Sequence, residues 1–352
     1  VSVITAQDIR VHGYRTLADA LASLPGLYVT ADQTWRYLGS RGFNRIGDYN
    51  SRFQLSVNGL RTNDAVYDMA YLGTEFPLDM ELIERIEFAP GPGSSIYGSN
   101  AMLGVINVIT RSTSELEGPR VATAAGSNNQ RELAVSFGKR FESGLDVLAS
   151  VSGLRGEGED YYFREFDSAS TGGGVAAGAN GERYKRGYLQ ASYGNFDLEV
   201  LGGRREKDSP SIYFSSDFLR RDRNVDSLGF ATLRYRRMIA QATTVEARVN
   251  AGRYDFTGIY AATGALDSRD DATGRWRGAE LRVVSTYWDS HKVVAGAEVQ
   301  QDYRLDQRNA DAEVTYLDRH DSGRRVAGYI QDEIRLDGRW LINAGLRHDH
   351  YY

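Results

Sequence analysis

The sequence predicts a small α+β domain followed by an incomplete antiparallel membrane β-barrel. Three observations carry that expectation. Helix and hairpin signals are crowded into the first third. The remaining two thirds repeat a strand-turn grammar rich in Tyr and Gly. No window holds the roughly 18 to 20 uninterrupted apolar residues of a spanning helix. Among 352 residues there are 22 Tyr, 38 Gly, 6 Pro and no Cys. Mean hydropathy is −0.46, which barrel strands tolerate because a lipid-facing side alternates with a wet one. The absence of Cys removes disulfides and thiolate chemistry. Basic and acidic residues, 42 against 47, are mixed without a basic block, so nucleic acid is not an expected partner.

In order along the chain, "YRTLADALASLPGLYVT" (14–30) puts Leu17, Ala20, Leu21 and Leu24 on one stripe of a helix. Thr16 and Asp19 suit a capping box, and Pro25-Gly26 stops the helix before a strand at Leu27 to Thr30. In "FQLSVNGLRTN", Phe53, Leu55 and Val57 alternate toward Asn58-Gly59, a dipeptide that adopts positive φ readily and closes a two-residue hairpin. "MELIERIEFAPGP" runs from a helical turn into a strand at Arg85 to Phe88, and "GVINVIT" (104–110) is β-branched enough to be another. The division expected is 1–115 and 116–352.

Four ordered stretches of the first part resemble the plug domain of TonB-dependent outer-membrane receptors: "TLADALASLPGLYV", "SRGFN", "LSVNGLRTND" and "IERIEFAPGPGSSIYGSNAMLGVINVIT". The motif residues are Arg41, Gly42, Asn58, Gly59, Gly91, Pro92, Tyr97 and Gly98. The resemblance implies a plug inside the barrel lumen, in the outer membrane of a Gram-negative bacterium. It also implies coupling to the inner-membrane TonB complex through a box upstream of Val1. Two positions depart from the pattern. Pro90 stands where the family has an Arg that pairs with barrel glutamates, while Arg41 keeps the second plug-to-barrel ion pair. Leu103-Gly104 replaces a Gly-Gly, which fits if Leu103 enters the plug core.

Beyond about residue 120, strand candidates alternate. Leu145, Val147, Ala149 and Val151 share one face, and Val245, Ala247, Val249 and Ala251 oppose Thr244, Glu246, Arg248 and Asn250. Turns such as 138–144 and 336–339 are short, whereas the segment near 159–168 and 211–223 are long, the asymmetry of outer-membrane barrels. About ten or eleven strands are expected, and plugged transporters close at about 22, so the chain reads as part of a longer one.

A plug in a wide barrel implies gated import. The expected cargo is a scarce large solute, first a ferric siderophore, with cobalamin or an oligosaccharide as the alternative. A non-transporting surface barrel is the rival reading. Outward plug loops 31–39 and 63–73 supply Trp35, Arg36, Tyr37, Tyr67 and Tyr71, aromatic faces with a cation that suit an anionic aromatic chelate. Plug-to-wall packing is the alternative role for these rings. Tyr213, Phe214, Phe218, Arg220 and Arg221 would line an outer vestibule or form an aromatic girdle. His348 and His350 share a strand face, but no metal site, resident cofactor or catalytic arrangement is expected. The partners expected are the TonB complex, outer-membrane lipid and the ligand.

Overall fold

In a computed structural model the chain forms two sheets, one held within the curve of the other; residues 1–45, 47–212 and 216–352 are described. The first domain opens with strand β1 (Ser2–Thr5) and helix α1 (Ala6–His12), whose capping box of Thr5 and Asp8 the sequence reading passed over. Helix α2 (Leu17–Ala22) has the expected cap: Thr16 accepts from the Asp19 backbone N–H while Asp19 takes the Thr16 N–H. Strands β2 (Leu27–Ala31) and β3 (Arg36–Ser40) form a separate hairpin. Strands β4 (Phe53–Val57) and β5 (Leu60–Arg61) close through Asn58 at φ 48° and Gly59 at φ 76°, the mirror-image turn the dipeptide predicts. A single 3₁₀ turn at Met80–Leu82 leads into β6 (Ile83–Pro90), longer at both ends than the four residues expected. Helix α3 (Ser94–Tyr97) and strand β7 (Gly104–Thr110) follow.

The inner sheet runs β1-β6-β7-β4-β5, with β4 and β7 parallel. All five residues of β4 are buried, not only the alternating three, because Gln54 and Ser56 face inward beneath the large sheet. Leu103 packs against the core, as its place in the motif requires.

The large sheet has eleven antiparallel strands in chain order. The first three are β8 (Gly118–Ala125), β9 (Arg131–Arg140) and β10 (Leu145–Gly156). A short pair, β11 (Tyr161–Tyr162) and β12 (Val175–Ala176), sits inside the following loop. Then come β13 (Glu182–Tyr193), β14 (Phe196–Pro210), β15 (Arg221–Ala240) and β16 (Thr243–Tyr260). The last four are β17 (Ser268–Ser285), β18 (His291–Ala310), β19 (Thr315–Leu336) and β20 (Trp340–Tyr351). Turns at one end are tight, at 194–195 and 241–242, while 157–181 and 211–220 extend from the other.

Burial along the strands is inverted relative to a soluble protein. On β16, Glu246 and Arg248 are buried while Val249 is 53% exposed, and on β10 Ser150 is buried while Val151 is 63% exposed. At these positions polar residues face the first domain and apolar ones face outward, as a lipid-embedded wall demands. One core spans both parts: Leu55, Tyr71 and Ile106 of the first domain pack in the same cluster as Tyr188, Phe230, Tyr254 and Trp276 of the wall.

Candidate functional site

Two polar side chains shape the outward loops of the first domain. Asn50 accepts from Leu38 N–H at 2.7 Å and donates to the Arg36 and Ala70 carbonyls. Asn63 accepts from Leu55 N–H at 2.9 Å and donates to the Phe53 and Asp68 carbonyls. Each replaces a missing ladder bond, so irregular backbone can be buried with its polar groups satisfied.

Asp64 anchors the second loop. Its carboxylate accepts from the Val66 and Tyr67 N–H groups, both at 2.7 Å, from Met69 N–H at 3.0 Å and from the Tyr71 hydroxyl at 2.8 Å. Burial pushes its pKa up to about 6, against those four donors. A raised carboxyl pKa means that the folded state holds the proton more tightly than the unfolded chain. This contribution to stability is complete below pH 4 and is lost as pH rises through about 6, a difference of about 3 kcal/mol. Asp64→Asn is expected to flatten the pH dependence of plug unfolding between pH 4 and 7; an unchanged slope in urea titrations would assign it elsewhere.

The predicted ligand-facing residues separate by burial. Arg36 is exposed at the start of β3, and Trp35 and Tyr67 are half-buried. Tyr37 and Tyr71 are buried, with hydroxyls donating to Asp32 at 2.6 Å and Asp64 at 2.8 Å. The rings form a chain that reaches the wall: Tyr49 contacts Trp35 and Tyr67, Trp35 contacts Phe256, and Tyr67 and Tyr71 both contact Tyr254. The indole N–H of Trp35 is buried without an acceptor. Tyr49, Tyr254 and Phe256 escaped the sequence reading, although the inward parity of β16 marks the last two.

The two long loops pack together. Phe166 stacks on Phe218 at 4.5 Å, and Phe163 meets both edge-on. Arg220 is held by Asp267 through two bonds of 2.5 Å. Arg221 begins β15 instead of lying in the loop, because the strand pairing runs on to Pro210. Tyr213 and Phe214 lie outside the described residues.

The domain is tied to the wall by a buried charge cluster. Arg205 of β14 bonds Glu75 at 2.9 Å, Asp226 of β15 at 2.6 Å and the Thr34 carbonyl at 2.9 Å. All three charged side chains are at most 2% exposed. Glu75 also accepts from the N–H groups of Leu72 and Gly73. Elsewhere Arg248 donates to the Gly59 carbonyl at 2.6 Å and Asn58 to Glu199 at 2.8 Å.

The eleven strands of the wall, about half the number at which plugged transporters close, supply no ion-pair partner for Arg41. Arg41 is exposed at φ 53° in a tight turn closed between Ser40 and Phe43, and it has no ion pair among the described residues. At the other departure, Pro90, the charge has moved to the wall. Glu298 binds Arg325 at 2.7 Å and Arg347 at 3.1 Å, and these arginines reach Ser99 and the Ile96 carbonyl. Within the rest of the "GPGSSIYGSN" motif, Gly91 and Pro92 precede α3, Tyr97 is exposed and Gly98 lies buried under Arg347. His348 and His350 face outward on β20, and no group of three His, Asp or Glu able to hold a metal occurs among the described residues.

Comparison with known proteins agrees with this architecture. Residues 1–105 match the model for the TonB-dependent receptor plug domain. The vitamin B12 transporter BtuB of Vibrio vulnificus is 35% identical over 156 residues, 44% of this chain and 24% of that protein. BtuB of Vibrio cholerae is 33% identical over 138 residues, 39% of this chain and 22% of that protein. Among solved structures, the ferric yersiniabactin uptake receptor FyuA of Yersinia pestis superposes with a TM-score of 0.74 at 17% identity, covering 99% of this chain and 56% of that one. The ferric citrate transporter FecA gives 0.73 at 18%, with coverage of 99% and 56%. The chain thus spans little more than half the length of these structures, and its aligned segments span about a quarter of the curated relatives. Its place is the outer membrane of Gram-negative bacteria. An inner domain packed by ion pairs against an inside-out sheet, with the plug-model match and these likenesses, makes residues 1–105 a TonB-dependent receptor plug domain and gives the chain the fold of those receptors.

Proposed function

We propose that this protein is a gated importer of a scarce large solute, energised by the TonB complex and proton-motive force, and that its cargo is a ferric siderophore. The single observation behind this reading is the outward face of the plug: the exposed Arg36 guanidinium next in sequence to Trp35, whose ring joins Tyr49, Tyr67 and Phe256 in one aromatic surface. An exposed cation beside aromatic faces suits an anionic aromatic chelate. Siderophore receptors among the structural neighbours are consistent with that choice. A cobalamin cargo has support of a different kind, since the curated relatives are vitamin B12 transporters.

The test is uptake of labelled ferric siderophores by iron-starved cells carrying or lacking the full-length gene, with and without a protonophore. Loss in both the deletion strain and the protonophore arm is the expected result. Cobalamin uptake that depends on the gene, with iron uptake unchanged, would overturn the siderophore assignment, and uptake of either that ignores the protonophore would overturn energised import. Within a responsive system, Arg36→Glu is expected to weaken binding of an anionic chelate about tenfold, roughly 1.4 kcal/mol.

A further inference from the structure

One buried guanidinium beneath the outward face of the plug holds three pieces of chain at once. Arg205 of β14 reaches Asp226 of the wall with Nε and Nη2, and both the Thr34 carbonyl and Glu75 with Nη1. Thr34 directly precedes Trp35 and Arg36, and Glu75 accepts the Leu72 and Gly73 N–H groups that follow Tyr71. Two outward loops that are distant in the chain therefore share one cation with the wall.

Glu75 divides its two oxygens between these tasks. Oε1 takes both backbone N–H groups, at 3.2 and 2.9 Å, and Oε2 takes Arg205 at 2.9 Å. Gly73 leaves the room for this, since a Cβ there would lie 2.6 Å from Oε2. The seated arrangement also leaves polar atoms unpaired. The Trp35 indole N–H and Oδ1 of Asp226 are buried without a partner among the described residues. A buried polar atom left unpaired destabilises the arrangement that holds it. Lifting loop 31–36 from Arg205 opens both atoms to solvent, so a cargo that engages Trp35 and Arg36 has a second loop position to stabilise.

We propose that Arg205 is a positioning residue that sets cargo affinity against plug seating: cargo bound at Trp35 and Arg36 draws the Thr34 carbonyl off the guanidinium and weakens its hold on Glu75. The proposal rests on the reading of loops 31–39 and 63–73 as the cargo face. Coupling of this kind is reciprocal. Cutting the bond between Glu75 and Arg205 must then raise cargo affinity, although Glu75, 4% exposed, does not reach the cargo face. A purely structural tie has the opposite sign, because a loosened site binds less well.

Glu75→Gln tests this, because it keeps the Oε1 acceptor for Leu72 and Gly73 and puts an NH2 group where Arg205 needs an acceptor. Full-length protein in non-ionic detergent is titrated with a ferric tris-catecholate, ferric citrate and cyanocobalamin, and hydrogen exchange is followed without any of them. For a probe that the wild type binds, Glu75→Gln is expected to bind at least about fivefold tighter, and its Thr34 to Tyr37 segment to exchange faster. Gly73→Ala, which pushes Glu75 aside without changing charge, should shift both readouts the same way. Asn58→Gly removes the plug-to-wall bond with Glu199 yet suits the positive φ at that turn, and should leave cargo affinity at the wild-type value. Equal or weaker binding by Glu75→Gln would overturn the coupling and leave Arg205 a structural tie. If the wild type binds none of the probes, the cargo reading fails for those classes and exchange alone decides. Unchanged protection at Thr34 to Tyr37 in Glu75→Gln then overturns the proposal, and faster exchange there with β4 still protected upholds it.

Discussion

Arg205→Ala is expected to loosen the plug from the wall by about 3–5 kcal/mol, because it strands Glu75 and Asp226 as unpaired charges in a buried site. The size of the effect comes from desolvation. A surface pair would be worth at most about 1 kcal/mol, but here neither carboxylate has water to turn to. Hydrogen exchange on the full-length protein is the measurement. Protection should fall at Thr34 to Tyr37 and Leu72 to Phe76, the segments that Arg205 and Glu75 hold, while β18 to β20 stay protected. Arg205→Met combined with Glu75→Gln and Asp226→Asn removes the stranded charges and should recover most of the loss. If the single variant retained full protection, the cluster would not be what seats the plug. In cells the same loosening should admit large antibiotics that the outer membrane otherwise excludes.

Gly98→Val is the second change expected to act strongly. Gly98 has φ 74° and ψ −138°, a backbone region that residues with a Cβ avoid at a cost of about 1–3 kcal/mol. A Cβ would also lie 2.8 Å from the Arg347 guanidinium, displacing it from the Ile96 carbonyl and disturbing the arginine pair that Glu298 holds. Limited proteolysis should then cut within 91–103 at protease levels that leave the wild type whole. Tyr97→Ala, at an exposed neighbour, should change little. Equal resistance of Gly98→Val and wild type would show that this backbone can relax without leaving the wall.

The first change acts where sequence reasoning was silent, the second at a motif glycine whose neighbours on the wall the sequence does not reveal. Near Gly91-Pro92 the contacts with the wall come from Arg325 and Arg347, which reach inward from β19 and β20 to Ser99 and the Ile96 carbonyl. Arg41, the expected contact with the wall, lies in a tight turn and forms no ion pair with strands β8 to β20 among the described residues. The most deeply buried ionic link between plug and wall runs through Arg205, a residue whose importance nothing in its own strand announces except that it falls on the inward parity of β14.

Local chemistry made much of the architecture legible from the residues alone. The Thr16–Asp19 box, the Asn58-Gly59 turn, the β-branched run of β7 and the alternation of β10 and β16 each depend on neighbours within a few positions. The same short-range signals produced the strand number and the two kinds of connection. Strand ends were less legible, since pairing with neighbouring strands carries β6 and β15 past their propensity signals. What the residues alone could not reveal are partnerships across the plug-wall boundary: Arg205 meets Glu75 over 130 positions and Asn58 meets Glu199 over 141. No periodicity encodes such a separation. It arises when the sheet curves around the inner domain, and burial then turns a particular Arg, Glu or Tyr from a surface group into one that must find a partner.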